Sequence, residues 1–163
     1  GRSPIFNTRY RQGVIMFFVW LILWYFVMSV LEYSIHRYTM HNKKWFLPYW
    51  IFFDHAILHH KNGRNDINID LPIYNHIIVG FPLIVGAYMI SYSSLAALLC
   101  IFAFHSYTWT KVHRGIHGLE KNWLMKTKYY KKAKQHHELH HDRPGKNFGV
   151  VFLFTDRLFG TKA

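Results

Sequence analysis

Charged residues are missing from two long stretches of this 163-residue chain. Residues 12–31 contain no Asp, Glu, Lys or Arg, and residues 71–110 contain none either. A membrane-spanning helix needs about 20 apolar residues, because each adds about 1.5 Å and the hydrocarbon core is about 30 Å thick. The first stretch therefore has the length of one span and the second the length of two. A buried hairpin in a soluble protein is the alternative for the second stretch.

Other residue types are scarce as well. The single cysteine, Cys100, excludes an intrachain disulfide and a cysteine-held iron–sulfur cluster, and it leaves the redox compartment open. Only eight residues are acidic against twenty Lys and Arg, which gives a formal net charge of +12. No nucleic-acid-binding motif accompanies this charge, so we expect no nucleic acid partner. The chain begins at Gly1 rather than Met, and we leave open whether a further N-terminal segment precedes it.

The hydropathy pattern predicts an all-α integral membrane protein with about three transmembrane helices. The predicted spans are 13–35, 73–90 and 95–112. The segments 36–70 and 113–163 are expected to form a histidine-rich helical cap, and residues 1–163 a single domain. The excess of Lys and Arg on the cap side places the cap in the cytoplasm or an equivalent compartment. The pattern does not distinguish the endoplasmic reticulum, another organelle and a bacterial inner membrane.

Histidine is abundant where other polar residues are rare. There are thirteen, and ten fall into four clusters that all lie on the same side of the predicted spans. Neutral imidazole is the commonest protein ligand for zinc, copper and iron, so one shared metal site is expected. The candidate ligands are His36, His41, His55, His59, His60, His113, His117, His137, His140 and His141.

The spacing within the clusters predicts which histidines act together. Residues four apart lie on one face of an α-helix. The expected chelating pairs are His55 with His59, His113 with His117, and His137 with His141. His36 and His41 are five apart, about 140° around an ideal helix, so they converge only if the helix ends or bends between them.

Ten nitrogens are more than one ion takes, since a zinc site has four ligands. They fit two ions with about five ligands each. With eight carboxylates in the whole chain the site must be nearly all histidine, and iron is the redox-active choice for an oxygenase. Zinc is expected as a substitute in preparations. No catalytic side chain is expected beyond the ligands, and the expected hydrogen-bond partners of the ligands are Glu32, Asp54 and Asp142.

Besides an iron-dependent oxygenase, two other functions remain open. His137-Glu138-Leu139-His140-His141 matches HExxH, the zinc protease motif in which the glutamate is the general base. This hypothesis leaves the other three clusters unexplained. The other alternative is a non-catalytic subunit of a larger membrane complex, although none of the four clusters has lost a histidine.

The order HX4H, HX3HH, HX3H, HX2HH resembles the fatty acid hydroxylase/sterol desaturase superfamily of membrane di-iron oxygenases. Asn147-Phe-Gly-Val150 and Thr155-Asp-Arg-Leu-Phe-Gly-Thr161 are similar to the closing segment of the fatty acid 2-hydroxylase branch, with Thr155 where that branch often has Trp. The resemblance covers roughly residues 30–161.

The resemblance implies a centre of two iron ions held by the ten histidines, and oxidation of a lipid alkyl chain with dioxygen and two electrons. The substrate would enter from the bilayer, and the electron donor would be cytochrome b5, a ferredoxin or a similar carrier. Carotenoid and sterol hydroxylases share this pattern, and hydroxylation is not separated from desaturation. The basic segment 121–141, expected to be helical, suits either anionic membrane lipids or an acidic electron carrier.

Overall fold

The computed structural model describes residues 4–44 and 49–163, with side chains described from residue 11 onward. Residues 45–48 of the predicted cap and residues 1–3 of the predicted domain lie outside the described part. Every regular element in the described residues is helical, which confirms the all-α class there. In chain order the elements are α1 (Pro4–Ile35), the π-helical turn π1 (His36–Met40), α2 (Tyr49–Phe52), the π-helical segment π2 (Phe53–Lys61), α3 (Ile73–Val79), α4 (Phe81–Ile90), α5 (Tyr92–Ile116), a 3₁₀ turn (Trp123–Lys126), α6 (Lys128–Asp142) and α7 (Thr155–Leu158).

Two helical stretches in the described residues have the length and composition to cross a membrane. They are Arg11–Met40, which joins α1 to π1, and α5. Both extend beyond the predicted spans, because helical backbone continues past the apolar residues that define a span in the sequence. The amide of Ser94 donates to Ser91 Oγ at 3.1 Å, so a serine side chain satisfies a backbone donor in the first turn of α5.

The predicted span 73–90 is not one straight helix. α3 and α4 meet at a bend of 75°, so the chain has a third candidate span only if the bent pair counts as one. The amide of Gly80 donates to the carbonyl of His76 at 2.8 Å and ends α3. Pro82 then occupies the first turn of α4, where its missing N–H breaks no helical hydrogen bond.

The chain divides into two compact units, of which the first comprises Gly1–Met28 and Pro72–Ser106. Within it Trp24 Nε1–H donates to Ser94 Oγ at 3.1 Å, and the rings of His76 and His105 share a buried hydrogen bond of 2.7 Å. Its surface carries large apolar side chains, which suits contact with lipid rather than water. These exposed side chains include Ile15, Phe18, Ile22, Phe26, Ile78, Val79 and Met89.

The second unit comprises Ser29–Leu71 and Tyr107–Ala163 and contains all ten clustered histidines. A small apolar core of Val112, Leu124, Tyr130 and Ala133 packs α6 against the end of α5. The basic segment 121–141 is not one helix. Thr127 Oγ1 accepts the amide of Tyr130 at 3.1 Å and so caps α6, which separates it from the preceding 3₁₀ turn.

Candidate metal centre

Two π-helical elements decide which histidines converge. In π1 the amide of His41 donates to the carbonyl of His36 at 3.1 Å, an i→i+5 hydrogen bond that adds a residue to the turn. The π-helical turn therefore places His36 and His41 on the same side of the helix, so that the two side chains converge. In π2 the same effect aligns His55 with His60, whose Nε2 atoms are 3.2 Å apart. The expected pairing of His55 with His59 is wrong, because it assumed an α-helix at this position.

Five histidines bring their Nε2 atoms together in what we call cluster A. Its members are His36, His41, His55, His60 and His140. The Nε2 atoms of His36 and His55 are 2.8 Å apart, those of His41 and His140 are 3.0 Å apart, and those of His55 and His41 are 3.1 Å apart. The π1 turn with the residue after it, π2 and α6 thus contribute donors to one point.

A second group, cluster B, lies next to the first. His59, His113, His117 and His137 form one group, and we count His141 with them because its Nε2 atom lies close to that of His137, although it also groups with His59 and His60. The Nε2 atom of His137 is 3.1 Å from that of His113, 3.2 Å from that of His117 and 3.0 Å from that of His141. The rings of His60 and His141 stack at 4.1 Å, which brings the two clusters into contact. The structure therefore gathers all ten predicted histidines, five in each cluster.

The polar loop, residues 62–72, orients histidines by accepting hydrogen bonds from their Nδ1 atoms. In cluster B, His59 donates to the carbonyl of Arg64 at 3.2 Å and His113 to that of Ile69 at 3.2 Å. His117 Nδ1 lies 2.9 Å from Asn65 Oδ1. In cluster A, His55 Nδ1 lies 3.2 Å from Asn68 Oδ1. A proton held on Nδ1 leaves the lone pair on Nε2, the atom that points into the cluster.

The closing segment, residues 143–163, orients two further histidines of cluster A. His140 Nδ1–H donates to the carbonyl of Lys146 at 2.6 Å, and His36 Nδ1–H donates to the carbonyl of Phe148. Backbone carbonyls and two asparagines therefore accept the hydrogen bonds from Nδ1 that carboxylates were expected to accept. Both asparagines lie in the polar loop, and their position in the sequence between His60 and His113 is the one signal that could have drawn attention to them.

The three predicted carboxylate partners differ in their surroundings. Glu32 is buried, and its Oε1 accepts the amides of Val150 and Val151 at 2.6 and 2.9 Å, so it binds the closing segment. Asp142 is exposed and Asp54 half-buried. Neither has a histidine hydrogen-bond partner among the described residues, since adjacency in sequence to a histidine turns their side chains away from its ring.

Burial keeps the clustered histidines neutral. Burial, and after it the neighbouring imidazoles, together lower the pKa of His41 and of His141 to about 4. The pKa of His117 and of His140 falls to about 3 for the same two reasons. Burial also lowers the pKa of His59, although hydrogen bonds to backbone carbonyls oppose the shift. Near pH 7 these side chains are therefore uncharged ligands rather than cations.

The donor set fits metal ions. Nitrogens bound to one ion at about 2.1 Å lie about 3.0 Å apart at right angles and about 3.4 Å apart at tetrahedral angles. The separations of 2.8–3.3 Å between neighbouring Nε2 atoms lie near these values, so neighbouring histidines are spaced to bind a common ion. His59 Nε2 is buried and lacks a hydrogen-bond partner among the described residues, as a metal ligand would.

The protease motif does not form a protease site. His137 and His141 both lie in cluster B, but the Glu138 side chain is 57% exposed and lies 3.6 Å from Lys134 Nζ. The general base of an HExxH site must reach a water on the metal. Glu138 instead lies on the solvent face of α6, and the cluster is filled by histidines from other elements.

Comparisons with known proteins agree with this geometry. Residues 21–161 match the family described as fatty acid hydroxylase. A solved structure described as full-length scs7p, with only the hydroxylase domain visible, matches 93% of this chain with a TM-score of 0.64 and 22% sequence identity. This chain covers 56% of the length of that chain. Because the sequence identity is low, the likeness shows a shared fold. A search of curated proteins finds no match. Because the family match spans most of its length, and the superposition shows the same fold, the chain belongs to the fatty acid hydroxylase family.

Proposed function

We propose that this protein is a membrane di-iron oxygenase that hydroxylates an alkyl chain of a lipid, using dioxygen and an external electron donor. The observation that carries the proposal is the pair of five-nitrogen clusters in contact with each other, in a member of a hydroxylase family. Clusters A and B would each hold one ion through Nε2 atoms. Ten neutral ligands suit iron, and zinc would occupy the same positions in some preparations.

When bound, two iron ions supply the reductive activation of dioxygen that an unactivated C–H bond requires. In the overall reaction, R–H, O2, two electrons and two protons give R–OH and water. The chain's own contribution is positional: the polar loop and the closing segment hold protons on the Nδ1 atoms of six of the ten histidines, and burial disfavours protonation of Nε2. No further side chain has to act as acid or base in this scheme.

A lipid substrate follows from the apolar surface of the first unit, where large side chains are exposed on α1, α3 and α4. An acyl chain could reach the protein from the bilayer along such a surface without crossing water. The family match favours a fatty acyl substrate and hydroxylation. Carotenoid and sterol substrates, and desaturation, are the alternatives within the same chemistry, because each begins with removal of a hydrogen atom from a C–H bond.

The first experiment measures metal per chain in protein grown in iron-rich medium and purified in mild detergent. We expect two ions per chain in the native protein and fewer in His117→Ala and His140→Ala, which remove one ligand from each cluster. Gln135→Ala is the matched control, since Gln135 lies on the exposed face of the same helix as His140. One zinc per chain, or none in folded protein, would contradict the proposal.

The second half of the experiment supplies ¹⁸O2, an artificial reductant and detergent-solubilised fatty acyl, sterol or carotenoid lipids. We expect one ¹⁸O atom in an acyl product from the iron-loaded protein and from Gln135→Ala, and none from the two histidine variants. A product that lacks two hydrogens and contains no ¹⁸O would identify a desaturase. Activity that survives in both histidine variants would remove these residues from the site.

A further inference from the structure

Asp156 is completely buried in the closing segment, and it accepts four hydrogen bonds. Its Oδ1 accepts the amide of Phe148 at 2.8 Å and the hydroxyl of Thr161 at 2.7 Å. Its Oδ2 accepts the amide of Gly149 at 2.7 Å and His136 Nε2–H at 2.9 Å. Burial disfavours the charged form, but these hydrogen bonds outweigh it and lower the pKa of the carboxyl. A buried carboxylate with four donors fixes the backbone that supplies two of them.

The backbone that Asp156 fixes is the backbone that orients cluster A. The amide of Phe148 donates to Asp156, and the carbonyl of the same residue accepts His36 Nδ1–H. Two residues earlier, the carbonyl of Lys146 accepts His140 Nδ1–H at 2.6 Å. The carboxylate thus reaches two candidate ligands through one short stretch of chain, residues 146–149.

The conformation of that stretch depends on the residues between these contacts. Asn147 has a φ of 56°, in the left-handed region that asparagine tolerates better than most residues. Its side-chain amide donates to the carbonyl of His136 at 3.1 Å. A Cβ on Gly149 would lie 2.7 Å from the carbonyl oxygen of Phe152, so only glycine fits there. The stretch is therefore held in one conformation, and its carbonyls are fixed acceptors.

The closing segment orients histidines of cluster A only. Among the described residues, no cluster B histidine donates to it, and three of the five donate to the polar loop instead, to Arg64, Asn65 and Ile69. The polar loop serves cluster A through a single contact, that of His55 with Asn68. The groups that accept Nδ1 hydrogen bonds from cluster A and those that accept them from cluster B thus lie largely in separate segments of the chain.

We propose that Asp156 is a positioning residue for cluster A, which sets the affinity of that cluster for its metal ion through the carbonyls of Lys146 and Phe148 and leaves cluster B unaffected. The inference rests on the proposed function, in that the clusters must hold metal. Loss of a hydrogen-bond partner behind a ligating histidine typically weakens metal binding about 10- to 100-fold. In Asp156→Asn the new NH2 group faces donors, so residues 146–149 lose fixed partners while every histidine remains.

The test counts metal ions per chain after dialysis against a graded series of chelator concentrations. Asp156→Asn is compared with Asn65→Ala, which removes the exposed acceptor of His117 in cluster B. We expect each variant to lose one of two ions about 10- to 100-fold more readily than the wild type. The double variant decides the location: it loses both ions if the residues serve different clusters. The inference is wrong if the double variant keeps one ion, or if Asp156→Asn weakens the binding of both ions equally.

Thr161→Val protects the test against a folding failure of Asp156→Asn, because it removes one of the four donors and leaves the carboxylate in place. We expect a smaller loss of affinity for the same ion, with an unchanged helical circular dichroism spectrum. If Thr161→Val and Asp156→Asn both bind the two ions with unchanged affinity, the inference about Asp156 is wrong and the proposed function still stands. A wild type that binds no metal would overturn the proposed function as well, so the two failures are distinguishable.

Discussion

Gly80 lies at the junction of α3 and α4 and Gly86 lies six residues later within α4, yet only one of them has room for a side chain. A Cβ on Gly80 would lie 2.4 Å from the carbonyl oxygen of His76 and 2.5 Å from the ring of Phe102. A Cβ on Gly86 would meet nothing within 4 Å. The bend between α3 and α4 therefore depends on the first glycine and not on the second.

This difference predicts opposite effects on stability. Gly80→Ala should destabilise the protein by roughly 1–3 kcal/mol, because backbone and an aromatic ring must move apart. Gly86→Ala should be neutral or stabilise by roughly 0.5–1 kcal/mol, since alanine is the better helix former. Thermal unfolding of both variants in the same detergent measures the difference. A Gly80→Ala variant as stable as Gly86→Ala would show that α3 can move away from Phe102.

Residue-level prediction from sequence works for side chains whose chemistry is rare and fails for backbone. The ten histidines could be named because imidazole is an uncommon and specific donor. The carbonyls of Lys146 and Phe148 could not, because every residue has one and only the fold decides which faces a ring. Glu32 was expected to be a hydrogen-bond partner of a ligating histidine, and in the structure it accepts amides of the closing segment.

Among the helices, the same division holds between composition and geometry. Length and apolarity are visible in the sequence, so the stretches that contain α1 and α5 could be predicted to within several residues. The choice between i→i+4 and i→i+5 hydrogen bonds in π1 and π2 is not visible in the sequence, because both geometries suit the same residues. That choice moves His59 from the cluster of His55 to the other cluster, so an error of one residue per turn changes the assignment of ligands.

Helix α6 presents different chemistry on its two sides. His137 and His140 are buried on one side, while Lys128, Lys131 and Lys132 are exposed on the other. Lys134 is paired with Glu138, and the other three lysines of this face have no acidic partner among the described residues. A cationic face on a helix that carries three of the candidate ligands would suit the proposed acidic electron carrier, such as cytochrome b5 or a ferredoxin.

We therefore expect Lys128→Glu, Lys131→Glu and Lys132→Glu, combined in one variant, to slow turnover with the protein donor by about 10-fold or more, because steered association depends on such charges. Turnover with a small artificial reductant should not change, since the histidines are untouched. Lys162→Glu, which reverses an exposed charge outside α6, is the control. An equal loss with both reductants would exclude docking on this face, and an unchanged rate with the protein donor would place the docking site elsewhere.

At the scale of the whole molecule, the ten candidate ligands are confined to one of the two compact units. All ten lie in the second unit, whereas the exposed apolar surface described above lies in the first. The sequence also predicts a cytoplasmic side for the cap and a single domain over residues 1–163, and both stay predictions.

The same histidines make the stability of the metal-free protein depend on pH. Their pKa lies near 6.5 in the unfolded chain but falls to about 4 for His41 and His141 in the folded protein. Between these values the unfolded state binds more protons, so folding stability is lost as the pH falls below about 6.5. Each histidine that stays neutral costs about 1.4 kcal/mol per pH unit in this window. Asp156, whose pKa is lowered, contributes to acid unfolding only below the window.

We expect the unfolding midpoint of metal-free protein to be constant from pH 8 to about 7 and to fall steadily from about pH 6.5 to 4. The combined variant His41→Gln and His141→Gln should show a shallower fall, because two of the titrating groups are gone. Metal-loaded wild type should unfold at a higher temperature than metal-free protein at every pH in the window, since bound metal stabilises the folded state. A midpoint independent of pH between 8 and 5, or an equal slope in the glutamine variant, would show that these histidines are not held neutral by burial.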